Sequence, residues 1–157
     1  METWKYLCEG SPYEVSDLGN VRKNGKLKKQ TTHSCGYLNT RISKRKNYKM
    51  KLVHRLVLPT FKPNPAPDFY DRVDHINQVR SDNRLENLRW SNATLNAWNC
   101  EKTKGYYLKP SGRFRAQIGY EGKVIVLGTF DTKEEARARY LEALADARAV
   151  YDPYQVY

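Results

Sequence analysis

The last third of the sequence constrains the fold more than any other stretch. Three strand candidates, GYYLKPSG, GRFRAQIGY and GKVIVLGTF, are separated by the turn-forming pairs Ser111-Gly112 and Glu121-Gly122. Asp131 to Glu135 then offers two overlapping capping boxes. The helix that follows places one apolar stripe along its length, formed by Ala136, Tyr140, Leu144 and Ala147. Three strands and one amphipathic helix predict a minimal two-layer unit.

The middle strand of this unit separates its apolar and polar side chains by alternation. Phe114, Ala116 and Ile118 alternate with Arg113, Arg115 and Gln117. The apolar set is expected to pack on the helix, so the polar set faces outward. Arginine and glutamine are side chains suited to guanine, adenine and phosphate. This pattern predicts a DNA-facing surface, although an ordinary solvated sheet face would show the same alternation.

The positive charge of the chain is concentrated in one block. The net charge is +11, and residues 18–67 contain 13 Lys and Arg but no Asp or Glu. Such a block predicts a surface that faces a polyanion, above all nucleic acid. The alternative is a solvated charge run or a disordered tail. Apolar residues interleaved at nearly alternate spacing disfavour it, namely Tyr37, Leu38, Ile42, Tyr48, Met50 and Leu52.

The first fifty residues predict a small β-rich module. Asn24-Gly25 is a strong hairpin signal, because both residues tolerate positive φ. Residues 36–43 and 47–53 read as two paired strands. We expect one side of this ribbon to be apolar and the other to carry Arg41, Lys49 and Lys51, and a two-stranded ribbon of that kind fits a DNA groove.

Several classes of protein are disfavoured by composition. No apolar run approaches the roughly 20 residues of a membrane span, and the N-terminus lacks the apolar region of a secretory signal. The three cysteines are scattered, without a Cys-x-x-Cys pair, which disfavours a disulfide framework and a structural zinc site. The sequence therefore predicts an intracellular protein that is neither secreted nor membrane-bound.

Residues 73–90, VDHINQVRSDNRLENLRW, contain the best candidate for chemistry. If residues 73–76 are extended, Asp74 and His75 point to opposite faces. His75 can take a proton near neutral pH. Asp74, with its carboxylate, and Asn96, on a predicted helix, supply the hard oxygen ligands that Mg²⁺ and Mn²⁺ prefer. An isolated Asp-His pair, however, is more often a hydrogen-bonded structural histidine beside a turn.

The segment around this pair resembles the HNH, or ββα-metal, endonuclease motif of phage and intron homing endonucleases. The resemblance rests on VHRLVLPTF, on VDHINQVRSDNRLENLRW and on the spacing of His75, Asn87 and Asn96. It implies that His75 is the general base and that Asp74 and Asn96 hold one divalent ion, Mg²⁺ or Mn²⁺. It also implies that Asn87, counted with the catalytic residues, braces the loop that carries the base.

The two ends of the chain resemble further modules. Trp4 and Tyr13–Arg22 are similar to a short module that often precedes HNH cores in phage endonucleases. KGYYLKPSGRFRAQIGYEGKVIVLGTFDTKEEARARYLEALADA resembles the Apetala/ethylene-response-factor DNA-binding domain, in which a three-stranded sheet lies over a helix. Phe114 and Val126 stand where tryptophans are usual, so that family's base contacts cannot be transferred. Arg113, Arg115, Gln117 and Lys123 are DNA-binding candidates by position alone.

These patterns together predict an α+β chain of three modules. The predicted domains are a basic β-module at 1–52, a nuclease core at 53–99 and a sheet-and-helix DNA reader at 100–157. The predicted function is a homing-type endonuclease that nicks double-stranded DNA as a monomer, in the host cytoplasm if it is phage-encoded. No obligate protein partner is expected, although a dimer stays possible. The alternatives are a non-catalytic DNA-binding regulator with a vestigial core and a structural or packaging factor.

Overall fold

The computed structural model describes residues 1–44, 47–100 and 102–152, so the last five residues of the predicted C-terminal domain lie outside the described residues. The chain is a mixed α+β protein, as predicted, with four antiparallel sheets and three α-helices among the described residues. It divides into two compact units, residues 1–92 and 93–157. No helix in the described part of the chain is long and apolar enough to cross a membrane.

The first sheet has four short strands in chain order. They are β1 (Trp4–Tyr6), β2 (Tyr13–Ser16), β3 (Val21–Lys23) and β4 (Lys26–Leu27). Asn24 and Gly25 both have positive φ and join β3 to β4, with Lys23 paired to Lys26. The predicted Asn-Gly hairpin is therefore confirmed. The β2–β3 connection, residues 17–20, is a tight turn that contains Gly19 at φ +84°.

The second sheet corrects one prediction. It consists of β5 (Gln30–Thr32), β6 (Leu38–Lys44) and β7 (Asn47–Leu52). Its register pairs Arg41 with Met50 and Ile42 with Lys49. Arg41 therefore lies on the face of Tyr48 and Met50, whereas Lys49 and Lys51 lie on the opposite face. The predicted ribbon with one apolar side and one cationic side is wrong, because a register offset by one residue exchanges the faces.

Helix α1 (His54–Phe61) organises the first unit. It contacts β1, β2 and β7 as well as β8 (Arg72–His75) and β9 (Leu88–Ser91). A 3-10 helix, Leu85–Asn87, leads into β9. The buried apolar residues of this unit come from α1 itself and from strands that precede and follow it in the chain. They include Val15, Val21, Val57, Leu58, Leu88 and Trp90. Burying them on one helix joins the N-terminal strands and the β8–β9 hairpin in one core.

The second unit holds α2 (Ala93–Trp98), β10 (Tyr106–Leu108), β11 (Phe114–Tyr120), β12 (Lys123–Phe130) and α3 (Lys133–Tyr151). Ala116 and Ile118 of β11 are buried together with Ala136, Tyr140 and Leu144 of α3. One of the two predicted capping boxes starts α3, because Thr132 and Glu135 exchange hydrogen bonds of 3.2 Å. The sheet-on-helix unit is therefore the one that the sequence predicts.

The compact units do not follow the three predicted segments. Residues 1–52 and the β8–β9 hairpin share one unit, and α2 clusters with the residues that follow it. The physical reason is the position of α1, which contacts strands on both sides of the predicted boundary at 52/53. A boundary between domains is expected only where few contacts cross it. As an assignment of separate functions, the three-segment division stays a prediction.

Candidate active site

His75 occupies the last position of β8 and is held by a hydrogen bond to Asn83. The His75 Nε2 to Asn83 Oδ1 distance is 3.2 Å, and both side chains are buried. Asn83 Nδ2 donates to the Ser81 carbonyl at 3.3 Å, which leaves Oδ1 directed at the imidazole. An amide oxygen only accepts, so Nε2 is the protonated nitrogen and Nδ1 carries the lone pair. This tautomer makes Nδ1 the atom that can take a proton.

The surroundings of His75 keep its imidazole neutral. Burial lowers the pKa of His75 below its usual value, whereas the hydrogen bond to Asn83 and the charge of Asp74 oppose that shift. A neutral imidazole is the form that acts as a base, since protonation would occupy the lone pair. The geometry and the direction of the pKa shift are thus both compatible with proton abstraction near neutral pH.

A second buried histidine lies against the first. The ring centroids of His54 and His75 are 4.9 Å apart, and Tyr37 lies 5.0 Å from His54 and 5.7 Å from His75. Burial lowers the pKa of His54 to about 3. His54 Nδ1 has no hydrogen-bond partner among the described residues. The proximity of His54 to His75 is not indicated by the sequence.

Asp74 lies beside His75 in β8 and is paired with an arginine of β9. Arg89 donates to Asp74 Oδ2 from Nε at 3.1 Å and from a terminal nitrogen at 2.9 Å. The ladder places these residues opposite each other, since Asp74 pairs with Arg89 and His75 with Leu88. Neighbouring residues of a strand point to opposite faces, so Asp74 and His75 address different directions. The condition stated for this pair, an extended backbone, is met because both residues lie in β8.

Asn87 connects both ends of the loop between β8 and β9. Its Oδ1 accepts from the Asn77 N–H at 2.9 Å, and its Nδ2 donates to the Asp82 carbonyl at 2.8 Å. The Asn87 carbonyl also accepts from the Ile76 N–H at 2.9 Å. These bonds cross the loop that includes Asn83, so Asn87 occupies the place of a brace. Its assignment as a catalytic residue stays a prediction.

The two predicted metal ligands are oxygen donors that belong to different compact units. Asp74 offers a carboxylate, and Asn96, on α2 of the second unit, offers an exposed amide. No cluster of three or more His, Cys, Asp or Glu side chains suited to a metal occurs within the described ranges. Few oxygen donors fit a hard divalent ion that keeps several water molecules and takes substrate phosphate oxygens.

The predicted DNA-binding residues are exposed in both units except for Arg115 and Gln117, which are half-buried. In the first unit, Arg41 stacks on the Tyr48 ring, 3.8 Å from its centroid, and Lys49 and Lys51 project from the other face of the ribbon. In the second unit, Arg115 and Gln117 alternate with the buried residues of β11 and so lie on the face away from α3.

Two further candidates of the second unit lie at the ends of its strands. Lys123 is exposed at the start of β12. Arg113 precedes β11 and forms a 2.8 Å ion pair with Asp131. Because both partners of that pair are exposed, the pair leaves the Arg113 guanidinium in contact with water.

Comparison with known proteins shows which families the segment around His75 is similar to. Residues 51–97 match the family model described as HNH endonuclease, and residues 2–43 match the NUMOD4 motif. Residues 51–97 are thus similar to an HNH endonuclease domain, and they are called the HNH domain below. They contain His54 and His75, the Asp74–Arg89 pair and Asn96, whereas Tyr37 comes from the NUMOD4 segment.

Two relatives extend the similarity beyond the HNH domain. An uncharacterized HNH endonuclease, L247 of Acanthamoeba polyphaga mimivirus, is 37% identical over 100 residues, and the match covers 60% of this chain and 25% of that protein. A structure on DNA binding and cleavage by the HNH homing endonuclease I-HmuI matches with a TM-score of 0.55 and 32% identity. It covers 62% of this chain and 56% of that one. The chain thus spans a quarter of one relative and about half of the other. The resemblance of residues 100–157 to the Apetala/ethylene-response-factor domain stays a prediction.

Proposed function

We propose that this chain is a metal-dependent DNA endonuclease of the homing type, which hydrolyses one phosphodiester bond and nicks one strand as a monomer. The observation that carries the proposal is the position of His75. It is buried beside Asp74 in the HNH domain, and its Nε2 forms a hydrogen bond with Asn83 Oδ1. The I-HmuI relative, described as binding and cleaving DNA, supports the substrate class.

In the proposed mechanism, His75 acts as the general base. Its Nδ1 takes a proton from a water molecule, whose oxygen then attacks the phosphorus, and the 3′ oxygen departs. Asn83 keeps the imidazole in the Nε2-protonated form, and Asn87 holds the loop that presents Asn83. A divalent ion, Mg²⁺ or Mn²⁺, held by Asp74 and Asn96 would neutralise charge on the phosphate and on the departing oxygen.

DNA binding in this proposal uses cationic and polar side chains of both units. Lys49, Lys51 and Arg41 contribute from the ribbon, and Arg113, Arg115, Gln117 and Lys123 contribute from the C-terminal sheet. Contacts of this kind go mostly to phosphates and set the position of the protein on the duplex. Arg115 and Gln117 are the side chains best suited to base edges, because arginine pairs with guanine and glutamine with adenine. Binding is therefore expected to weaken steeply with salt.

The test uses supercoiled plasmid DNA incubated with the full chain in Mg²⁺, in Mn²⁺ and in EDTA, beside His75→Ala. We expect open circles that require metal and disappear with the substitution. Linear product would indicate paired active sites and contradict the monomeric nickase. Intact plasmid in every lane, together with a retained gel shift on the same plasmid, would favour the non-catalytic DNA-binding alternative.

A further inference from the structure

The turn between β2 and β3, residues 17–20, lies against the loop that holds His75. Gly19 has φ +84°, and a Cβ built on it would lie 2.8 Å from Asn83 Cβ and 2.9 Å from the Asn83 carbonyl oxygen. Contacts below 3.0 Å force one of the two segments to move. Gly19 therefore sits directly on the residue whose Oδ1 faces His75 Nε2.

A hydrogen bond fixes this contact beside Gly19. The Leu85 N–H donates to the Asp17 carbonyl at 2.7 Å, so the turn is bonded to the backbone two residues after Asn83. The turn is itself rigid, because Gly19 N donates to the Ser16 carbonyl at 3.0 Å and Gln30 Nε2 donates to the Gly19 carbonyl at 2.8 Å. A fixed turn pressed on Asn83 limits where its amide can lie.

The same loop is held a second time by the N-terminal segment. Arg80 donates to the Cys35 carbonyl at 2.7 Å, and its guanidinium lies 5.0 Å from the centre of the Tyr37 ring. Tyr37 in turn lies against the ring of His75. Residues before the HNH domain thus contact the loop at Asn83 and at Arg80, and they contact the imidazole itself.

We infer that the Asp17–Asn20 turn is a positioning element for the catalytic base, and that Gly19 acts on His75 through Asn83. The inference rests on the proposed role of His75 and goes beyond it, because it gives the N-terminal module a part in turnover as well as in DNA binding. A general base must be oriented to within a fraction of an ångström of the productive geometry. Displacing Asn83 removes the hydrogen bond that orients the imidazole in its Nε2-protonated form.

The chain supplies a matched pair of substitutions for the test. Gly19→Ala adds a methyl group at φ +84° against Asn83, whereas Gly10→Ala adds one at φ +71° with no atom within 4 Å. Both variants carry the backbone strain of an alanine at positive φ, and only the first displaces Asn83. We expect Gly19→Ala to lower kcat for plasmid nicking about 10- to 100-fold at unchanged KM and DNA affinity, whereas Gly10→Ala keeps kcat.

A spectroscopic measurement on the metal-free protein needs no cleavage. The chain has three histidines, so their side-chain ¹⁵N resonances are separable, and the loss of one in His75→Ala assigns His75. We expect an Nε2-protonated His75 in the wild type and in Gly10→Ala. In Gly19→Ala its resonances should move toward those of a tautomer mixture. His75 resonances that coincide in the two glycine variants would overturn the inference.

A double substitution tests the route through Asn83. If Gly19 acts through the Asn83 amide, Gly19→Ala should cause no further loss of kcat in an Asn83→Ala background. Independent, multiplying losses would contradict that route. If circular dichroism shows that Gly19→Ala is unfolded, the Gln30→Met variant replaces it in the test, because this substitution removes only the hydrogen bond to the Gly19 carbonyl. A shifted His75 resonance in Gln30→Met supports the inference, and an unshifted one overturns it.

Failure of the proposed function would be distinguishable from failure of this inference. If His75→Ala nicked plasmid as well as the wild type, His75 would not be the base, yet the resonances would still report whether the turn orients its ring. If His75→Ala were inactive and Gly19→Ala matched Gly10→Ala in kcat and resonances, only the positioning role would fall.

Discussion

The two compact units hold their candidate functional side chains in opposite ways. In the first unit, Asp74, His75 and Asn87 are buried, and each has a specific hydrogen-bond partner. In the second unit, Arg115, Gln117 and Lys123 are partly or fully exposed on a sheet. Buried polar groups depend on geometry, whereas exposed cations act through charges that water and salt screen. Substitutions of these buried residues of the first unit should therefore affect turnover, and those of the sheet residues of the second unit should affect affinity.

The largest effect is expected from Asp74→Asn. The substitution keeps the size of the side chain and an oxygen that can accept from Arg89, but it removes the charge that would hold a metal ion. We expect nicking to fall about 10³-fold, which corresponds to roughly 4 kcal/mol, with DNA binding in EDTA retained. Plasmid nicking and gel shifts measure the two quantities. The exposed Asp68→Asn serves as the comparison, and equal rates for both variants would remove Asp74 from the mechanism.

The next effect is a pH dependence of stability that originates at His54. Its folded-state pKa of about 3 lies below the unfolded value of 6.5, so the unfolded chain binds more protons between these values. Stability should thus fall as the pH drops from 6.5 toward 3, by at most about 1.4 kcal/mol per pH unit. Urea unfolding at pH 7 and pH 5 measures the slope. We expect His54→Gln to flatten it and the exposed His33→Gln to leave it unchanged.

A smaller loss of stability is expected from Asn87→Ala. The substitution leaves the Asp82 carbonyl and the Asn77 N–H without their side-chain partner inside the protein. We expect the free energy of unfolding to fall by about 2–3 kcal/mol, with a parallel fall in nicking. Asn77→Ala, at an exposed position where water replaces lost bonds, should cost less. Equal costs for the two variants would show that Asn87 does not brace the loop.

In the second unit, Arg115→Ala should weaken DNA binding without slowing turnover. If its guanidinium reads a base, affinity should fall by about 1–3 kcal/mol, while nicking at saturating DNA stays at the wild-type rate. Arg113→Ala should cost less, because that side chain already pairs with Asp131. Fluorescence anisotropy of labelled duplexes measures affinity. A slower rate at saturation would contradict the separation between the two units.

The smallest effect is expected on the β6–β7 ribbon, where the corrected register separates the cations. Removing Lys49 and Lys51 together should reduce the slope of log affinity against log salt by about 2, one for each lost phosphate contact. Arg41→Ala, on the other face and stacked on Tyr48, should leave the slope unchanged. A change with Arg41→Ala and none with the double substitution would assign DNA binding to the opposite face.

The sequence predicted the sheet of the second unit better than the ribbon of the first. In the second unit, Glu121 and Gly122 adopt positive φ in a two-residue turn, and α3 buries one face of β11. Turn chemistry and burial together specify a register. The ribbon pairs Lys44 with Asn47, so odd-numbered residues of β6 share a face with even-numbered residues of β7. The alternation within each strand was visible in the sequence, but the register between the two strands was not.

Part of the active site was also accessible from the sequence. The spacing of His75, Asn87 and Asn96 indicated an HNH motif, and residues 51–97 match the HNH endonuclease family model. The burial of His54 had a weak signal, since residues 54, 57 and 58 share one side of a helix. Asn83 was only one of several asparagines in a polar turn. Nothing local distinguished it as the partner of His75.

The sequence by itself determined the short-range features of this protein. The Asn24-Gly25 hairpin and the capping box of α3 depend on interactions within a few residues, so local chemistry suffices for them. Only the tertiary structure decided which residues surround His75. Gly19, Tyr37 and His54 reach this loop from distant positions in the chain, because α1 packs the N-terminal strands and the β8–β9 hairpin into one core. Contacts made by such packing depend on the whole fold and leave no local pattern.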